Sequence, residues 1–233
     1  MKRIRTTILS LLVLVAAPVA AQDKVEADAS ADVVSRYVWR GQDLGHAAIQ
    51  PSLGVSYKGL SLSAWGSYGI TDGSDTDELD LTLSYSTGGL TIGITDYWFS
   101  AGDGRYFLYD AHRTSHVFEA NLGYDFGPLS INWFTNFAGD DYKCDGKRAY
   151  SSYVEVAAPF NLGGLEWNAA LGAVPYASSG TYAEVNDFAI VNVALTATKD
   201  IKITDKFSLP VFATLAANPC TQKAYLAFGI SIK

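Results

Sequence analysis

Apolar and polar residues alternate one by one in twelve separate stretches of this chain, and no long apolar helix follows the first of them. The alternation predicts strands over 26–40, 47–58, 60–70, 78–87, 89–99, 115–126, 128–138, 149–160, 164–175, 187–199, 206–217 and 222–233. In the second, Ile49, Pro51, Leu53, Val55 and Tyr57 share one face, and Gln50, Ser52, Gly54, Ser56 and Lys58 the other. In the fourth, Leu79, Leu81, Leu83 and Tyr85 oppose Glu78, Asp80, Thr82 and Ser84. Segments of about ten residues with this period, repeated along the chain, are the pattern of a transmembrane barrel. Only helices and closed barrels satisfy every backbone polar group inside lipid.

The connections carry a second signal. Lys58-Gly59, Thr87-Gly88-Gly89, Gly127-Pro128 and Asn161-Leu162-Gly163-Gly164 are short and rich in turn residues. Between them fall the longer 41–46, 71–77, 100–114, 139–148 and 176–186. Short and long in alternation imply tight periplasmic turns and longer external loops. Residues 200–205, a longer periplasmic turn, and 218–221, a short external loop, depart from that rule. The expected fold is all-β: a single-chain antiparallel transmembrane β-barrel, an up-and-down meander of twelve strands. Ten is the alternative, because 176–206 is less regular.

The N-terminus adds an address. Lys2, Arg3 and Arg5 precede the apolar run Ile8–Val19, and small residues at Val19-Ala20-Ala21 suit a signal peptidase. Residues 1–21 are expected to be a cleaved signal peptide and 22–233 the barrel, placed in the outer membrane of a Gram-negative-type bacterium. Removing Lys2, Arg3 and Arg5 takes the formal charge from −7 to −10. So acidic a chain disfavours nucleic acid and a polybasic role at lipid surfaces.

Lipid cannot solvate charge, so the charged face should be the lumen. By strand parity it holds Asp28, Asp32, Arg36, Arg40, Lys58, Glu78, Asp80, Glu119, Asp125, Glu155 and Glu166, eight acids against three bases. Arg36 is expected to pair with one or more of Glu119, Glu155 and Asp80, since buried carboxylates need a partner. The lumen constriction is therefore assigned to Arg36, Arg40, Asp80, Glu119, Glu155 and Glu166. Two outcomes are compatible with this set. One is a conducting constriction whose acidic wall favours cations. The other is a plug, in which these charges and Asn121, Asn132, Asn168 and Asn192 bond across the bore. Arg40 either guards the pore mouth or is a solvated loop arginine.

Other constellations are weaker. Asp72-Gly73-Ser74-Asp75-Thr76-Asp77-Glu78 is rich in oxygen ligands but lacks EF-hand spacing, so a solvated acidic turn is expected. His112, Ser115 and His116 sit at a loop edge without a nucleophile elbow, so no enzyme, metal or cofactor is expected. The aromatic run Arg105–Asp110 is expected to pack on the rim. Cys144 and Cys220 fall in loops at the same barrel end. They can pair in an oxidising compartment if their Cα atoms lie within about 7 Å.

Several phrases resemble a known family. Ser35-Arg36-Tyr37-Val38-Trp39-Arg40-Gly41 is similar to the opening strand of the porin-like family that carries the TorF name. Ile49-Gln50-Pro51, Ala64-Trp65-Gly66-Ser67, Glu78-Leu79-Asp80-Leu81 and Ser152-Tyr153-Val154-Glu155 fit its second, third, fourth and eighth strands. The resemblance implies an outer-membrane barrel with a transport role and no catalytic residues. The chain ends on Lys233 where such barrels commonly end on an aromatic residue. The function expected is passive diffusion of small polar solutes, with weak cation preference. The partners expected are outer-membrane lipid, the barrel-assembly machinery and the solutes themselves. The alternative is a plugged barrel whose external loops bind a partner.

Overall fold

The structure, a computed structural model, describes residues 24–71, 75–100, 104–179 and 181–233. The expected signal peptide and the Asp72-Gly73-Ser74 part of the acidic turn lie outside the described residues. The strands are β1 (Glu26–Val34), β2 (Tyr37–Trp39), β3 (Gln42–Gly45), β4 (Ala48–Tyr57), β5 (Leu60–Gly69), β6 (Glu78–Thr87), β7 (Leu90–Phe99) and β8 (His116–Asp125). Then come β9 (Ser130–Gly139), β10 (Ser152–Leu162), β11 (Leu165–Val174), β12 (Ser178–Ser179), β13 (Glu184–Val185), β14 (Ala189–Lys202), β15 (Ser208–Asn218) and β16 (Lys223–Ile232).

Twelve of these strands close into one antiparallel barrel, in the order β1-β16-β15-β14-β11-β10-β9-β8-β7-β6-β5-β4. β1 closes the ring by pairing with β16 on one side and β4 on the other, Asp32 lying opposite both Ser231 and Gln50. With no free edge, every strand's ladder is used. The remaining strands form two small ribbons, β2–β3 and β12–β13, outside the barrel wall.

The period of two sorts the side chains as the sequence indicates. On β4, Ile49, Leu53 and Val55 are exposed while Gln50 and Ser52 are buried; on β6, Leu81 and Leu83 are exposed while Thr82 and Ser84 are buried. Exposed Leu62, Ile92, Ile94, Leu122, Leu171, Val193, Leu215 and Leu226 continue this outward apolar belt around the ring. A water-soluble monomer rarely shows apolar surface on this scale. Aromatic residues mark both rims. Stacked Phe160 and Trp167 (6.1 Å) and the pair Tyr124 and Phe126 (4.7 Å) lie at the tight-turn end. Lumen-facing hydroxyls pair along the wall, as in Thr82–Thr95 (2.9 Å) and Thr196–Thr214 (2.8 Å).

Three tight turns, Lys58-Gly59, Gly88-Gly89 and Gly163-Gly164, have two successive positive φ angles. That geometry matches the twist of the flanking strands. The count of twelve strands stands, and ten is excluded. The strand expected over 187–199 runs on through Lys202, so its turn is tighter than the sequence suggests.

The main departure is in the first strand. It does not continue to Arg40. The barrel strand ends at Val34, and at Ser35 the backbone NH still bonds the Phe228 carbonyl (2.8 Å). The chain then doubles back as the β2–β3 hairpin. Its turn is Arg40-Gly41, with φ of 49° and 76°. The alternation Tyr37-Val38-Trp39 suits a lumenal ribbon as well as a barrel stave, so periodicity alone merges the two.

Candidate functional site: the inturned hairpin and the lumen

The hairpin leaves the ring between β1 and β4 and crosses the bore. A Cβ on Gly41 would lie 2.0 Å from the Val191 carbonyl oxygen, so only glycine lets the tip press against β14. Asn218 of β15 donates to the Gly41 carbonyl (3.1 Å). Arg40 carries the tip to the far wall. Its guanidinium donates two bonds to Glu119 of β8, Nη1 to Oε2 at 2.6 Å and Nη2 to Oε1 at 3.1 Å. The same group lies 3.9 Å from the ring centroid of Phe134 on β9, six places around the ring from β1. Trp39, Tyr153 and Tyr182 also face it, at 4.3, 4.8 and 5.1 Å.

Glu119 is saturated. Besides Arg40 it accepts from the Tyr97 hydroxyl (2.8 Å) and the Tyr182 hydroxyl. Four donors fill its lone-pair sites, which lets a charged carboxylate stay buried. Burial raises the Tyr182 hydroxyl well above the ordinary tyrosine range, and the Glu119 carboxylate pushes it the same way, so it stays a donor. Tyr182 descends from the connection after β11. Neighbouring Thr181 donates to Asp141 (3.1 Å), accepts from Asn136 Nδ2 (3.1 Å), and offers its carbonyl to Gln42 Nε2 (3.1 Å). The strap thus binds the hairpin to the β9–β10 loop from outside.

Beside Arg40, Tyr153 donates to Glu155 Oε2 (2.7 Å) and accepts from Asn192 Nδ2 (3.2 Å). It fits because Gly172 leaves room: a Cβ there would lie 1.8 Å from the Tyr153 hydroxyl. Glu155 Oε1 and Asn192 Oδ1 are buried acceptors that no donor reaches within the protein.

The sequence-assigned residues separate into groups. Arg40 and Glu119 meet directly, and Glu155 lies in the same cage without bonding Arg40. Arg36 corrects an expectation: it pairs with Asp43 of its own hairpin, partly exposed, and not with Glu119, Glu155 or Asp80. The turn inward at Ser35 moves Arg36 off the wall and hands the cross-lumen role to Arg40. Arg40 is likewise neither a mouth guard nor a solvated loop residue, being 4 % exposed. Asp80 sits apart on β6, two residues from Glu78 and on the same face of the strand. Glu166 is exposed toward the tight-turn end, outside both groups. Cys144 and Cys220 are exposed free thiols, not joined to each other, and Cys220 Sγ lies 3.5 Å from the Ile190 carbonyl.

His116 is buried with Nδ1 on Asp96 (2.7 Å) and Nε2 on the Tyr106 carbonyl (2.6 Å). Both ring nitrogens are thus committed away from Ser115. They anchor the aromatic run to the rim, where Tyr109 stacks on the imidazole at 4.4 Å. In the acidic turn, Asp75 holds the backbone NH of His46 (3.1 Å) and its ring. Among the described residues no three His, Cys, Asp or Glu side chains group as metal ligands.

Sequence reasoning missed Tyr182, Tyr153 and Asn136. The Arg40-Gly41 pair between two short alternating runs is a hairpin signal that was available in the sequence. Nothing local marks Tyr182.

No family model matches the chain, so the TorF resemblance rests on the phrases themselves. No curated protein matches it either. Among solved structures, a porin refined at 1.8 Å resolution is similar, with a TM-score of 0.40 and 11% identity over 81% of this chain. The match covers 62% of the porin, so this chain spans less than two thirds of its length. At that score the likeness adds nothing to the topology read directly from the strand pairings: a closed, porin-like barrel with a hairpin across its bore.

Proposed function

We propose that the protein is an outer-membrane channel of low conductance, passing small polar solutes by passive diffusion with a weak preference for cations. The observation that carries this is the hairpin fixed across a polar, acid-rich bore. A bore narrowed by a rigid ribbon admits by size. A wall on which carboxylates outnumber cations admits by charge. The outward apolar belt and the paired aromatic rims support a bilayer around it. The basic and apolar N-terminus supports export, and the assembly machinery would receive the chain beyond the inner membrane. No energy source or cofactor enters the mechanism.

The density of the Arg40 cage favours a second reading, a sealed barrel that works through its external loops. Phe107, 87 % exposed on the aromatic run, would be a contact there. Planar-bilayer recording under a salt gradient separates the two. Small discrete steps with a cation-directed reversal potential are expected. A silent bilayer, from protein shown to be folded by heat-modifiable gel mobility, overturns the channel and leaves the sealed barrel.

A further inference from the structure

Two voids flank the hairpin. One, of about 320 Å³, lies toward the long-loop end against Glu78, Phe99 and Val117. The other, of about 40 Å³, lies against Asp32, Gln50 and Phe212 on the β1, β4 and β15 walls. Tyr37 lines both, and no other residue does. It is 5 % exposed, its ring meets Trp65 at 5.6 Å, and it shares the lining of the larger void with Glu78. One side chain therefore separates the two spaces.

The opposite side of the hairpin is occupied by the Arg40 cage. Arg40, Glu119, Tyr182, Tyr153, Asn136 and Glu155 are between 0 and 4 % exposed. Passage on that side would need the saturated Glu119 site to come apart. The void side differs in kind. Its partition is an aromatic ring, that of Tyr37, set against Trp65.

The charge along this side is also uneven. Asp32 and Arg36 line the smaller void and Glu78 and Asp140 the larger, and Arg36 is paired with Asp43. Asp80 Oδ1 is a buried acceptor that no donor in the protein reaches. Buried acceptors of that kind are met by water or a cation.

We infer that the route through the barrel runs off its axis along the Tyr37 side of the hairpin, and that Tyr37 with Glu78 forms its narrowest, selectivity-setting point for small monovalent cations. This rests on the channel reading and places its filter away from Arg40 and Glu119. Tyr37 sets the size limit. Glu78 sets the sign of the charge.

The test is single-channel recording of the full mature chain in planar bilayers under a potassium chloride gradient. Wild type, Tyr37→Ala and Glu78→Gln are compared, each shown to be folded by heat-modifiable mobility. Tyr37→Ala should raise conductance by roughly two- to fivefold and keep the cation-directed reversal potential. Glu78→Gln should move the reversal potential toward zero. A conducting wild type with Tyr37→Ala unchanged, or with Glu78→Gln as selective as wild type, overturns the inference and leaves the channel. A silent wild type with a conducting Tyr37→Ala supports Tyr37 as the closing residue and overturns the channel reading of the native state. Silence from all three overturns both.

Discussion

On one side of the Tyr37–Gly45 hairpin, Glu119 takes four donors and Arg40 is enclosed by four aromatic rings. On the other, Tyr37 lines two voids and sets its ring against Trp65. The same ribbon makes both contacts, yet the two sides are held by different physics. A buried charge pair demands complete satisfaction, because each unmet donor or acceptor costs its full desolvation. That demand draws in Tyr97, Tyr182 and Asn136 and leaves no space. A tyrosine hydroxyl demands one partner, so its surroundings can stay loosely filled. Where the charge is buried fixes the anchored side of the bore, and the two voids are left on the other.

The largest expected effect comes from breaking the anchored side. Arg40→Met leaves Glu119 buried with two of its donors gone. It should destabilise the folded barrel by about 3–5 kcal/mol, the usual cost of orphaning one member of a buried pair. Urea unfolding in lipid vesicles reads this as a lowered midpoint. The double change Arg40→Met with Glu119→Leu should recover much of the loss, since neither charge is then stranded. An Arg40→Met midpoint equal to wild type would mean that the cage does not hold the hairpin.

Gly172→Ala probes the floor of the same cage. Its Cβ would press into the Tyr153 hydroxyl, displacing it from Glu155 and Asn192. A loss of about 1–3 kcal/mol is expected, as for other overpacked sites. Unchanged unfolding would show that Tyr153 has another place to go. The smallest effect belongs to Arg36→Ala. Its pair with Asp43 is partly exposed, so stability should change by no more than about 1 kcal/mol. A larger loss would give Arg36 the anchoring role that the geometry assigns to Arg40.

The barrel wall was readable along the chain. Ile49 to Tyr57 and Leu79 to Tyr85 alternate because one face points out of the barrel and the other into its bore. A one-residue slip would invert every side chain, so the pattern is strongly enforced. The turns were readable for the same local reason: Lys58-Gly59 and Gly163-Gly164 need backbone angles that few residues supply. The first strand was not. Residues 35–47 alternate as a stave would, and only the Arg40-Gly41 turn hints that they leave the wall. Arg36 and Arg40 are equally charged and four residues apart, with nothing local to tell which one crosses the bore.

The chain's own pattern thus determined a closed sheet with an apolar exterior and a polar, acidic interior, because strand faces are set by neighbours two residues apart. Which acid meets which base was decided only by the closed barrel. Arg40 and Glu119 are 79 residues apart, and β1, from which the hairpin departs, lies five places around the ring from the β8 strand of Glu119. Tyr182 reaches them from a third segment, 63 residues beyond Glu119. Ring closure and the inward fold of the hairpin bring these three together, and burial then selects the arrangement in which the Glu119 carboxylate finds its donors.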